Sequence, residues 1–164
     1  MKLFAFIAAA LLVGGCASTP IIPPELQYTP PTAASGSLAT LQGSQEESLL
    51  LDDLTVFVIA VDGKRVMIER KGWNNALPIL PGSRNITVAF KRGVFNAQAD
   101  LPLSAVGGHQ YEVRFASDVN VNGPNTYCDF WVIDKAMQKP VTEIRRGIIG
   151  GGGETMVPIF IPKK

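Results

Sequence analysis

His109 is the only histidine in the 164-residue chain, so side-chain acid–base chemistry near neutral pH would start there. It follows Gly107-Gly108 and precedes an alternating run, which places it at the start of a strand. Acid–base work needs a nucleophile or a paired carboxylate within reach, and neither Gly-x-Ser-x-Gly nor His-Glu-x-x-His accompanies it. A loop or strand-edge role is the expectation. The neighbouring acids Glu46-Glu47 and Asp52-Asp53 make no carboxylate dyad, because adjacent side chains point apart on a strand or a helix. Asp118, Asn120, Asn122 and Asn125 set oxygen ligands at alternating positions, yet a calcium loop brings more carboxylates and an acidic closing ligand. They read as turn formers. The run Gly150 to Gly153 lacks the Gly-Lys-Ser/Thr ending of a phosphate loop and reads as a hinge. Two cysteines and one histidine are too few for a protein-made transition-metal site. No catalytic set assembles, so the expectation is a non-enzyme without cofactor.

The strongest chemical signal lies at the N-terminus. Lys2 is a positive n-region, Leu3 to Val13 is an unbroken apolar run, and Gly14-Gly15 puts two small residues before Cys16, the layout of a secretory signal. A spanning helix needs about 20 apolar residues, so this run is too short to be a permanent anchor and is read as cleaved, giving a signal peptide over 1–15. Val13-Gly14-Gly15-Cys16 resembles the lipobox of bacterial lipoproteins. That resemblance implies a diacylglycerol on the Cys16 thiol and acylation of its new α-amino group. Ala17, where an aspartate would favour inner-membrane retention, implies by the same resemblance the outer membrane, with the chain facing the periplasm. Several acyl chains hold a protein at a bilayer because each buried methylene contributes about 0.8 kcal/mol, whereas one chain binds only marginally.

The chain carries 15 Lys and Arg against 14 Asp and Glu, and loss of Lys2 with the signal makes them equal. Long-range steering toward nucleic acid is therefore not expected. Lys91-Arg92, Arg145-Arg146 and Lys163-Lys164 read as solvated strand ends. With Cys16 acylated, Cys128 has no partner within the chain, and a disulfide scaffold is excluded. Its strand neighbours Tyr127, Phe130, Trp131 and Val132 mark it as a buried structural thiol.

Residues 17 to 37 hold five prolines among small polar residues and cannot offset their ordering entropy, so 16–37 is expected to be a semi-extended tether reaching roughly 60 Å. From Leu38 the pattern becomes β-like. Thr55 to Val61, Asp62-Gly63 and Lys64 to Arg70 predict a hairpin around a two-residue turn. Arg84 to Lys91 predicts a half-buried strand, with Ile86, Val88 and Phe90 inward. Phe95 to Leu101 and Gln110 to Phe115 alternate likewise, and Tyr127 to Ile133 is apolar on both faces, which predicts an interior strand paired with Val141 to Arg145. Gln45 to Leu54 is the one plausible helical stretch. Eight or nine strands over 38–149 give an all-β, single β-sandwich, Ig-like or transthyretin-like, followed by a Gly-hinged strand or tail over 150–164.

Val61-Asp62-Gly63-Lys64, then Leu80-Pro81-Gly82 before the strand Ile86 to Phe90, then Gly108-His109-Gln110-Tyr111-Glu112-Val113, resembles uncharacterised bacterial lipoproteins with PEGA-like or transthyretin-like β-sandwich domains. The likeness spans roughly residues 38 to 146 and implies a fold, with no activity to carry over.

Three residues stand out for interaction. Trp73 sits in the polar stretch Lys71-Gly72-Trp73-Asn74-Asn75, where an exposed tryptophan serves as an interface anchor or folds back over the sandwich end. Met156 and Phe160 lie in the tail, where Val157, Ile159 and Ile161 alternate with Met156, Pro158 and Phe160. That tail reads either as the last strand of the sandwich or as an arm for a neighbour's open edge. The functional expectation is a membrane-anchored, non-catalytic module binding an envelope protein or peptidoglycan. The rivals are a small-ligand or lipid carrier, marked by a large apolar cavity, and an envelope hydrolase.

Overall fold

Alternating side chains force this chain to bury one face of each strand, and two sheets stacked face to face are the arrangement that results. The computed structural model describes residues 22–34, 36–49, 52–119 and 126–151. Its strands are β1 (Ala39–Gln42), β2 (Ser44–Glu46), β3 (Leu54–Val61), β4 (Lys64–Arg65), β5 (Leu77–Ile79), β6 (Gly82–Arg92), β7 (Phe95–Ala105), β8 (Gln110–Ser117), β9 (Cys128–Asp134), β10 (Lys139–Pro140), β11 (Arg145–Arg146) and β12 (Ile148–Gly151). One sheet runs β10-β9-β8-β1-β5 with β11 also on β9; the other runs β12-β7-β6-β3-β2 with β4 also on β3. All pairings between these strands are antiparallel except β1 with β8. The fold is an all-β sandwich, as the alternation predicts.

The interior is filled by side chains from both sheets. Phe90, Leu101, Leu103 and Val56 on one side meet Phe130, Val113, Val132 and Leu41 on the other, all fully buried. Phe90 and Phe115 pack as a tilted aromatic pair, with ring centroids 5.3 Å apart. Asp62 and Gly63 both have positive φ, 51° and 76°, and Val61 pairs with Lys64, so the two-residue hairpin forms where the sequence places it.

Several expectations are corrected. The described part of Gln45 to Leu54, which excludes residues 50 and 51, is not helical: Ser44–Glu46 pairs with Leu54–Val56, and that ladder uses backbone groups a helix would need. The return strand expected over Lys64 to Arg70 stops at Arg65, and a 3₁₀ turn follows at Arg70–Gly72. There the Arg70 guanidinium donates to the Asp53 carbonyl at 2.8 Å. β6 is buried on both faces from Ile86 to Phe90. Thr87 donates to Asp100 at 2.6 Å, and Ala89 lies between its cross-strand neighbours Phe57 and Gln98, so the face expected to be polar is screened by the sheet itself. Val141 to Arg145 does not pair as one strand; the return onto β9 is split between β10 and β11. β12 runs across the boundary drawn at 149/150.

The tether expected through residue 37 also gives way. A 3₁₀ turn at Pro24–Leu26 leads into Gln27, which bridges Arg65 in parallel, and the Tyr28 N–H donates to the Arg65 carbonyl at 2.7 Å. Tyr28 is half-buried against the core, and its hydroxyl donates to the Pro78 carbonyl at 2.8 Å. One aromatic ring buries enough apolar surface to hold a proline-rich segment down.

Candidate functional site

β8 begins and β9 ends side by side, Tyr111 opposite Asp134, and this register brings His109 against a carboxylate 25 positions away. His109 Nδ1 lies 2.6 Å from Asp134 Oδ2. The other oxygen, Oδ1, accepts the N–H groups of Ala136 at 2.9 Å and Met137 at 3.1 Å, which folds the turn between β9 and β10. Asp134 is fully buried, while the His109 side chain is 40% exposed. The His109 hydrogen bond, partly opposed by burial and reinforced by the two backbone N–H groups, holds the Asp134 carboxyl below the usual carboxylate range. The histidine ring stacks on Tyr111, whose hydroxyl accepts the Val106 N–H at 3.0 Å.

A histidine oriented by a buried carboxylate is two-thirds of a nucleophile-activating triad. No serine, threonine or cysteine side chain is bonded to His109 among the described residues, and Asp134 commits Oδ1 to the turn and Oδ2 to His109. What the arrangement does chemically is join two strand ends. Asp134 was not anticipated from the sequence. The available signal was an aspartate directly after an apolar strand, the position where a carboxylate caps a turn.

A second group of side chains surrounds the β3–β4 turn. Tyr28, Pro31, Val61 and Leu80 form the apolar wall of a surface cleft of about 230 Å³, and Asp62, Lys64 and Arg84 stand at its rim. Arg84 is spent on Asp62 Oδ2 at 2.8 Å and on the Leu80 and Pro81 carbonyls, each at 3.1 Å. Asp62 Oδ1 also accepts the Asn85 N–H. Burial, then the nearby Asp62 charge, raises the Tyr28 pKa above its ordinary value. Tyr28 was assigned to the tether; its being the only aromatic residue between 17 and 37 is the signal that could have placed it on the domain.

Trp73 is half-buried and folds back over the sandwich with Leu41, Val58, Ile68 and Leu77, while its carbonyl accepts the Gly43 N–H at 2.7 Å. Cys128 is completely buried, and burial pushes its thiol up to about 12. Asp118 accepts from the Thr126 hydroxyl and from the Thr126 and Tyr127 N–H groups, which lower its pKa, while Asn120, Asn122 and Asn125 of the same polar stretch lie outside the described residues. No cluster of three metal-ligating side chains occurs among the described residues. Cys16, Met156 and Phe160 lie outside the described residues.

The fold and these clusters define a β-sandwich whose polar groups are largely turned to joining its own strands. No family model, no curated protein and no solved structure matches the chain.

Proposed function

We propose that the chain is a membrane-anchored envelope lipoprotein whose non-catalytic β-sandwich binds a protein or cell-wall partner. The anchor rests on the lipobox-like Val13-Gly14-Gly15-Cys16 and the apolar run before it. The observation that carries the non-catalytic reading is the commitment of the groups capable of acid–base chemistry to structural bonds. Asp134 caps a turn, Asp118 holds the Thr126 and Tyr127 N–H groups, and Asp62 fixes Arg84. The filled core and a surface cleft of about 230 Å³ favour surface recognition over carriage, because ligand pockets run from roughly 300 to 1,000 Å³.

Docking of Gln27 and Tyr28 shortens the reach. From Cys16 to Gln27 a fully extended chain covers at most roughly 40 Å. A domain on such a leash works close to the bilayer, in the layer where peptidoglycan and envelope proteins are met.

The test is Cys16→Ala in cells producing the full chain with a radiolabelled fatty acid. The parent should take up label and sediment with membranes, while the variant stays unlabelled and unprocessed. Crosslinking of the parent in intact cells should then capture one envelope partner. Release of the parent as a soluble, unlabelled protein would end the anchored reading, and turnover of wall or lipid substrates that is lost in His109→Ala would end the non-catalytic one.

A further inference from the structure

Successive side chains of a strand point to opposite faces of its sheet. On β9, Phe130 and Val132 are fully buried in the core, so Asp129 and Trp131 stand on the outer face of the first sheet. On β8 the core takes Val113 and Phe115, which leaves Glu112 and Arg114 outward, and the register sets Arg114 directly opposite Trp131. Trp131 is half-buried there, and its indole N–H, bonded to no described residue, is open to solvent. Ion pairs close on both sides of the ring. Arg114 Nε lies 2.7 Å from Glu112 Oε1. Arg146, opposite Asp129 on β11, makes a two-point pair with it at 2.8 and 3.0 Å and stacks on Tyr127, 5.3 Å from the ring centroid. Gln42, opposite Glu112 on β1, adds a side-chain amide without a partner among the described residues.

That composition selects one kind of ligand. The two ion pairs sum to zero charge, so the face does not attract a polyanion such as nucleic acid. The large exposed apolar residues lie in turns and loops or on β12, none of them on β1, β8 or β9, so the face lacks the apolar area that holds a protein on lipid. Charged groups are depleted from the centre of protein–protein interfaces, and here they flank the indole. A pyranose fits all of these facts. It is uncharged, one face of its ring presents C–H groups that lie flat on an indole, and its hydroxyls donate to carboxylates and accept from guanidinium and amide groups. We propose that the outer face of β1, β8 and β9 is a glycan-binding platform for the sugar strand of peptidoglycan. Trp131 is its stacking residue, and the Glu112–Arg114 and Asp129–Arg146 pairs meet the hydroxyls on either side. This rests on the reading of the domain as a binder of a wall or protein partner, and it names that partner's chemistry.

The test uses the purified full chain in a detergent without a sugar headgroup, so that none of its readouts depends on the anchor at Cys16. The chain is sedimented with protein-free peptidoglycan sacculi and titrated with chitotetraose, a soluble β-linked chain of N-acetylglucosamine. The parent should bind both. Trp131→Ala, with an unchanged circular dichroism spectrum, should bind both about tenfold more weakly or worse, and Trp131→Phe, which keeps a ring, should recover most of the loss. Arg114→Gln, a change at an exposed position, should weaken binding severalfold, and Trp73→Phe should leave it unchanged. Because the face is neutral, binding should hold from about 0.05 to 0.5 M salt. Failure of the parent to bind either probe overturns the proposal, as does a Trp131→Ala chain that binds as well as the parent, or binding abolished by salt. Sacculi bound without chitotetraose, and released by free stem peptides, would mean a peptide ligand and overturns it equally. Capture of an envelope protein by crosslinking, with neither glycan probe bound, would end the platform and leave the partner-binding reading standing.

Discussion

The chain passes from one sheet to the other twice within a nearly continuous strand, and both crossings turn on a glycine. β1 leaves the first sheet at Gly43 and continues as β2 in the second; β11 leaves the first at Gly147 and continues as β12 in the second. In each case the glycine N–H is held by a carbonyl at 2.7 Å, of Trp73 at the first crossing and of Cys128 at the second. The surroundings differ. A Cβ on Gly43 would fall 2.0 Å from the Val56 carbonyl oxygen, which is backbone inside a sheet. At Gly147 its nearest neighbour would be a ring carbon of the buried Phe130 at 2.5 Å, a side chain and not backbone, with the Cys128 and Gln98 carbonyl oxygens next at 3.1 and 3.2 Å. The first crossing is also bolted across the sandwich, since Ser44 donates to the Val113 carbonyl at 2.6 Å, and β2 ends on a charged residue. The second leads into β12, whose outer edge pairs with no strand among the described residues.

Gly43→Ala carries the largest expected effect. Backbone cannot yield by the ångström or more required, so the variant should lose more than about 3 kcal/mol and populate unfolded chain at room temperature. Urea titration followed by tryptophan fluorescence measures this, and a loss under about 1 kcal/mol would mean that the first crossing is not locked. Gly147→Ala should cost less, about 1–3 kcal/mol, because Phe130 can shift at the expense of strained packing. If Gly147→Ala proves the more damaging, the contrast is reversed.

Ser44→Ala sharpens the same contrast by removing the cross-sheet bolt while leaving the glycine. The Val113 carbonyl then loses a buried partner, and the expected cost is about 1–2 kcal/mol. Cys128 reports on the other crossing, because its carbonyl holds Gly147 while its thiol is buried and pushed up to about 12. The native protein should resist thiol-labelling reagents at pH 8, and Gly147→Ala should label severalfold faster. Prompt labelling of the parent would place the second crossing among the parts of the fold that open readily.

Much of the fold was legible because alternation is local. Tyr111, Val113 and Phe115 turn inward on β8 while Gln110 and Arg114 stay exposed, as their spacing requires. Asp62-Gly63 carries its turn geometry in two adjacent residues. The crossings were not legible, because Gly43 and Gly147 read as ordinary glycines until a second sheet comes close enough to forbid a Cβ. Gln45 and Glu46 looked helical because only their pairing with Thr55 and Leu54 makes them a strand. The His109–Asp134 contact joins residues that no motif spacing links, and it exists through the register of β8 on β9. Tyr28 was hidden by its proline-rich context, whose composition describes an average and not the one ring that docks.

The smallest expected effect concerns the far end of β9, the strand whose beginning holds Gly147. There the link between sequence-distant strands is electrostatic, with no glycine at its centre, and it should respond to pH where the crossings do not. The Asp134 carboxyl lies below its ordinary value in the folded protein, first through His109 and then through the turn N–H groups that oppose its burial. A carboxyl lowered by folding contributes stability that is fully present above its unfolded pKa, about 3.9, and is lost as pH falls through the folded value. His109→Ala removes the largest lowering cause and leaves the Ala136 and Met137 N–H groups in place, so the remaining shift should be smaller but not absent. The parent should therefore be more stable than the variant at pH 5, and the gap should narrow as pH falls below about 4. Urea midpoints of both proteins between pH 2 and 6 measure it. A gap that stays constant to the lowest pH would show that His109 stabilises through its stacking on Tyr111 alone, and that the end of β9 is held by packing, as the crossings are.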